Sequence, residues 1–190
     1  SVDHYPLIKG DGSINFDPLS GVPAIPATWL YQPPGGYSNS VAGRLQFLLD
    51  VAWEKGLVVE LAFAGETSAT GGVRLWDGND VTGSTRKYRD ALKAVAATLK
   101  TAQFYGDNTV SPPIPPQTGY RHVLFDVWNE ANVAFCKPSM PGRFPSYPAP
   151  LDTTQPSIAN FVAAVKEGDS DRLVTGSLAN DRWPVAAAGD

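Results

Sequence analysis

The feature that most constrains this chain is an alternation of two patterns. Short apolar runs of strand length recur between stretches with helical periodicity. The runs are Leu57–Phe63, His122–Trp128 and Arg172–Leu178. A helical pattern precedes each one. Residues 40–55 place Leu45, Leu48, Leu49 and Ala52 at i, i+3, i+4 and i+7, one apolar face. Residues 84–103 do the same with Tyr88, Leu92, Val95 and Leu99, and residues 157–167 with Ile158, Phe161, Val162 and Val165. Ser38, Asn39 or Ser40 can cap the first helix, Gly56 can stop it, and Gly168 can stop the third. The order is loop, α, β, α, β, α, β. It predicts an α/β fold with a parallel sheet and right-handed crossovers. Leu57–Phe63 reads as a strand buried on both faces.

The connections carry the turn chemistry. Residues 1–39 read as a long loop with a short hairpin around Leu7–Phe16, and Ser111–Gly119 as a Pro-rich connector. The long loops 64–83 and 131–156 come after strands, at the edge where α/β proteins build their sites. At 190 residues the chain reads as one domain, 1–190. A net charge of −4 argues against a nucleic-acid partner held through phosphates. No apolar run approaches the ~18 residues of a membrane span. The lone Cys136 cannot close an internal disulfide, and neither a metal cluster nor a cofactor is expected from it. No charged n-region and apolar h-region follow Ser1, and both ends read as cut points of something longer. Low charge and loop aromatics are compatible with a secreted, extracellular protein.

The chemistry-bearing stretch is Phe125-Asp126-Val127-Trp128-Asn129-Glu130-Ala131-Asn132. Asn-Glu at the carboxyl end of an apolar strand, preceded by Trp and opening a long loop, resembles clan A of the retaining glycoside hydrolases, the (β/α)8-barrel enzymes. In that clan Asn-Glu ends the fourth strand and the Glu is the acid/base. Asp-Val-X-Asn-Glu-Ala is similar to the xylanase form. Trp-Asn-Glu-X-Asn followed by Phe135 is closer to the β-xylosidase branch. Asp126 stands where cellulase-like members carry an acid. The resemblance implies a partial TIM barrel, from roughly the strand-two loop to strand five. The clan's nucleophile, a second Glu at the end of strand seven, has no counterpart here. A full barrel takes about 250 residues.

The resemblance also implies roles for individual residues. Glu130 would protonate the leaving glycosidic oxygen and then activate water. Asn129 would donate to the sugar 2-hydroxyl, a contact that tightens in the oxocarbenium-like transition state. Trp76, Trp128, Tyr31 and Phe135 are candidate sugar platforms, and Asn132 joins them as a candidate substrate contact. Strand parity puts Asp126, Trp128 and Glu130 on one face and Asn129 on the other, so both motif residues reach a substrate only if the strand bulges or ends there. The expected partner is a β-linked oligo- or polysaccharide, together with the missing remainder of the barrel.

Plainer roles suit the other residues. Asp126 and Glu60 read as hydrogen-bonded barrel-interior groups, and Glu66 as a solvated loop carboxylate. His4 and His122 have no ligand partner at metal spacing and read as structural. Trp29 and Trp53 read as packing residues. Two other readings compete with the hydrolase. One is a carbohydrate-binding remnant that stacks sugars and cleaves nothing. The other is a doubly wound α/β domain, against which no Gly-rich phosphate loop follows any strand.

Overall fold

The computed structural model describes residues 7–9, 13–25, 33, 35–63, 80–106, 110–128, 154 and 156–176. The elements run α1 (Val41–Glu54), β1 (Val59–Ala62), α2 (Val81–Thr101), β2 (Gln103–Phe104), β3 (Gln117–Thr118), β4 (Val123–Asp126), α3 (Ile158–Gly168) and β5 (Val174–Thr175). The parallel sheet has the order β1-β4-β5, so β4 is central. The mixed α/β class with parallel strands agrees with the sequence pattern. β2, just past the end of α2, pairs antiparallel with β3 in the connector, and two-residue strands leave no periodic signal.

Local chemistry sets the helix ends. Ser40 caps α1, its hydroxyl accepting from the Gly43 amide at 3.0 Å. Gly56 comes next at φ +66°, the left-handed conformation that ends a helix and that L side chains avoid. Asp80 caps α2 and Ser157 caps α3 in the same way. The anticipated ribbon near the start appears as one antiparallel bridge, Ile8 to Ile14.

One core joins the helices to one sheet face. Val123, Phe125 and Val127 meet Leu92, Val95, Phe161 and Val165, all at most 3% exposed. The anticipated stripe of α2 is buried throughout. In α1, Leu49 and Ala52 are buried, but Leu48 is 60% exposed, because the helix turns that position outward. The helices α2 and α3 cross tightly at Gly168, where a Cβ would collide with the Lys93 carbonyl oxygen.

The other sheet face corrects an expectation. Register aligns Glu60 with Leu124, and Ala62 with Asp126 and Thr175. Glu60, Ala62 and Thr175 are exposed, and Val58 and Leu173 on the same parity are 71% and 66% exposed. The Leu57–Phe63 run is therefore covered on one face and open on the other. Glu60 stands in solvent instead of in a hydrogen-bonded interior. Parallel sheets are ordinarily covered on both faces, and among the described residues this face of β1 is left uncovered. Among the described residues no helix is long and apolar enough to cross a membrane.

Candidate active site

The carboxyl end of β4 is fixed by a local turn. The Asp126 carboxylate is 1% exposed and its Oδ1 accepts from the Trp128 amide at 3.2 Å. A carboxylate that bonds the backbone two residues on turns the chain out of the strand. The strand therefore ends at Asp126, and simple parity no longer governs the residues beyond it. The buried, hydrogen-bonded setting expected for Asp126 is observed.

Trp128 is placed differently from its expected role. It is 1% exposed, stacks on Phe161 at 5.5 Å and 11°, and tilts against Tyr88 at 4.9 Å. The bend after Asp126 directs the indole into the core, so the ring packs helices and offers no face to a sugar. The Tyr88 hydroxyl donates to the Val127 carbonyl at 2.9 Å. Burial raises the Tyr88 pKa and keeps that phenol a donor. This aromatic cluster braces the segment from which the Asn-Glu pair departs. Asn129, Glu130, Asn132, Phe135 and Trp76 lie outside the described residues, as do Tyr31, Glu66, Cys136, Trp29 and His4.

The amino end of β4 is held by a buried arginine. Arg172 donates from Nη1 to the Tyr120 and Val123 carbonyls at 2.6 and 2.9 Å, and from Nη2 to the Gly119 carbonyl at 2.8 Å. It also pairs with Asp169 at 3.0 Å, the two side chains being 1% and 0% exposed. His122, next to this clamp, bonds the Leu49 carbonyl at 2.9 Å through Nε2 and the Gln117 carboxamide at 3.3 Å through Nδ1. Burial lowers its pKa and favours the neutral imidazole, and packing by Trp53 gives both residues the structural parts expected.

Asp50 forms a second polar cluster, which periodicity alone did not reveal. It is 2% exposed on the inner side of α1. Tyr37 donates to its Oδ2 at 2.5 Å and Tyr120 to its Oδ1. Helical periodicity sets it across α1 from the stripe of Leu45, Leu48, Leu49 and Ala52, so nothing in the sequence marks it as buried. Burial pushes the carboxyl up to about 6 from 3.8, although both phenols favour the charged form. The folded state therefore holds this proton more tightly than the unfolded chain. Stability from this group is full below about pH 4 and is lost as pH rises to about 6, by about 3 kcal/mol in all. His122 works with the opposite sign, its depressed pKa costing stability as pH falls. Urea melts from pH 4 to 7 on the native chain and Asp50→Asn isolate the carboxyl, since His122 is common to both. The difference in stability should change with that sign; parallel curves would contradict the assignment.

No protein-family model matches the chain, and no curated protein or solved structure matches it with significance.

Proposed function

We propose that this chain is part of the catalytic domain of a retaining glycoside hydrolase acting on β-linked glycans. Glu130 is its proton donor and Asn129 its contact to the sugar 2-hydroxyl. One observation carries the reading: in sequence Asn129-Glu130 follows β4, the central strand of a parallel sheet, after two residues, with Glu130 four residues beyond Asp126. Loops beyond the carboxyl ends of such strands are where α/β folds assemble their sites. The exposed positions Glu60 and Ala62 of β1 and Thr175 of β5 support the same reading, because a partial barrel leaves its interior face open. The finer architecture, strands three to five of a (β/α)8 barrel, belongs to this proposal.

Retention needs two carboxyl groups about 5–5.5 Å apart, one as acid/base and one as nucleophile. The second has no counterpart in the sequence, so the 190-residue chain should bind β-glycans without hydrolysing them. Xylo- and cello-oligosaccharide titrations followed by NMR test the binding. Asn129→Ala and Trp76→Ala should weaken it, and Glu130→Gln should leave it near the native value. Failure of every β-linked oligosaccharide to bind would count against a carbohydrate site. Turnover of an aryl β-glycoside by this chain, abolished in Glu130→Gln, would overturn the assignment of the nucleophile to other polypeptide. Retained binding with no catalytic role for Glu130 in any longer form would favour a carbohydrate-binding remnant.

A further inference from the structure

The two peptide units that lead out of β4 are held from several sides. In the first, the Asp126 carbonyl accepts from the Phe63 amide at 2.9 Å, and the Val127 amide donates to the Thr175 carbonyl at 3.0 Å. Those bonds tie it to the end of β1 and to β5. In the second, the Trp128 amide donates to the Asp126 carboxylate at 3.2 Å, and the Val127 carbonyl accepts from the Tyr88 hydroxyl at 2.9 Å. β4 ends at Asp126, so two side chains turn this second unit. A peptide unit is rigid and planar, and fixing both its N–H and its carbonyl fixes its rotation. Asp126 is the turn's own residue. Tyr88 reaches in from α2, 39 residues away in sequence.

Tyr88 is itself fixed. It is 2% exposed, and its ring packs on Trp128 at 4.9 Å and edge-on to Phe161 at 4.7 Å. A phenylalanine ring would fill the same space, so what the hydroxyl adds is its bond to the chain just before Asn129. We infer that Tyr88 is a positioning residue for the proposed sugar site: by holding the Val127 carbonyl, its hydroxyl sets the direction in which Asn129 and Glu130 leave the central strand. The link to sugar rests on the glycosidase reading, whereas the hold on the chain does not.

The test compares the native chain with Tyr88→Phe, which removes only the hydroxyl, and with Val95→Ala. The second variant loosens the core two turns along α2 without touching that bond, and so controls for stability. Residual dipolar couplings report the direction of each N–H bond. Those of Asn129 and Glu130 should change in Tyr88→Phe and stay native in Val95→Ala. Affinity for xylo- or cello-oligosaccharides should fall about three- to tenfold in Tyr88→Phe, the worth of one neutral hydrogen bond, and stay native in Val95→Ala. Unchanged Asn129 and Glu130 couplings in Tyr88→Phe, or an equal loss of affinity in both variants, would overturn the positioning role. Changed couplings in a chain that binds no β-linked oligosaccharide would uphold the hold on the chain and count against the glycosidase reading instead. A measurement on the native chain decides the matter if Tyr88→Phe fails to fold. By reciprocity, a site held by this turn also holds the turn, so saturating oligosaccharide should slow hydrogen exchange of the Trp128 amide more than that of Val95. Equal slowing would overturn the inference.

Discussion

Arg172→Met should lower the stability of the folded chain by about 3–5 kcal/mol, a large fraction of the 5–15 kcal/mol typical of a domain. The guanidinium satisfies three carbonyls at 119, 120 and 123 and neutralises Asp169, with both charged side chains buried. Methionine has similar length but no donors. It leaves a buried carboxylate without its cation and three carbonyls without their N–H partners. Lysine is no substitute, because a single ammonium cannot reproduce the planar fork. Most of the loss comes from the orphaned charge. The double variant Arg172→Met with Asp169→Asn should therefore be more stable than Arg172→Met alone. Urea denaturation of the three proteins checks this, and a single variant within 1 kcal/mol of native, the scale of an exposed ion pair, would contradict the clamp. The residue matters beyond stability. β5 is two residues long, and Arg172 ties its approach to the segment that starts β4. Loosening it should displace β4, which precedes the Asn-Glu pair in sequence.

The parts of this structure that repeat were legible in the sequence. Tyr88, Leu92, Val95 and Leu99 lie on one helical stripe, and all four are buried as their spacing requires. The three parallel strands follow from apolar runs between such helices. Features set by single contacts were not legible. Leu48 fits the α1 stripe as well as Leu49 does, yet only packing decides that it faces outward. The open face of β1 could not be read from Val58, Leu61 and Phe63, because a continuous apolar run does not say which face is covered. Trp128 obeyed strand parity on paper. The Asp126 turn ended the strand and sent the indole inward. Asp50 looked like an ordinary helical acid, and two tyrosines distant in sequence, Tyr37 and Tyr120, make it a buried one. The site reading itself rests on Asn129-Glu130 and their place after the central strand.

The most direct test of Glu130 as a proton donor is the dependence of its loss on the leaving group. The measurement belongs in a longer protein that carries this sequence together with the second carboxylate. A phenol with ordinary basicity needs a proton to depart, whereas 2,4-dinitrophenolate departs without one. Positioned acid catalysis contributes roughly 10²–10⁴-fold. Glu130→Gln should therefore slow glycosylation from a phenyl β-glycoside by about that factor and leave glycosylation from the dinitrophenyl β-glycoside close to native. An equal loss on both substrates, or no loss on either, would contradict the role given to Glu130.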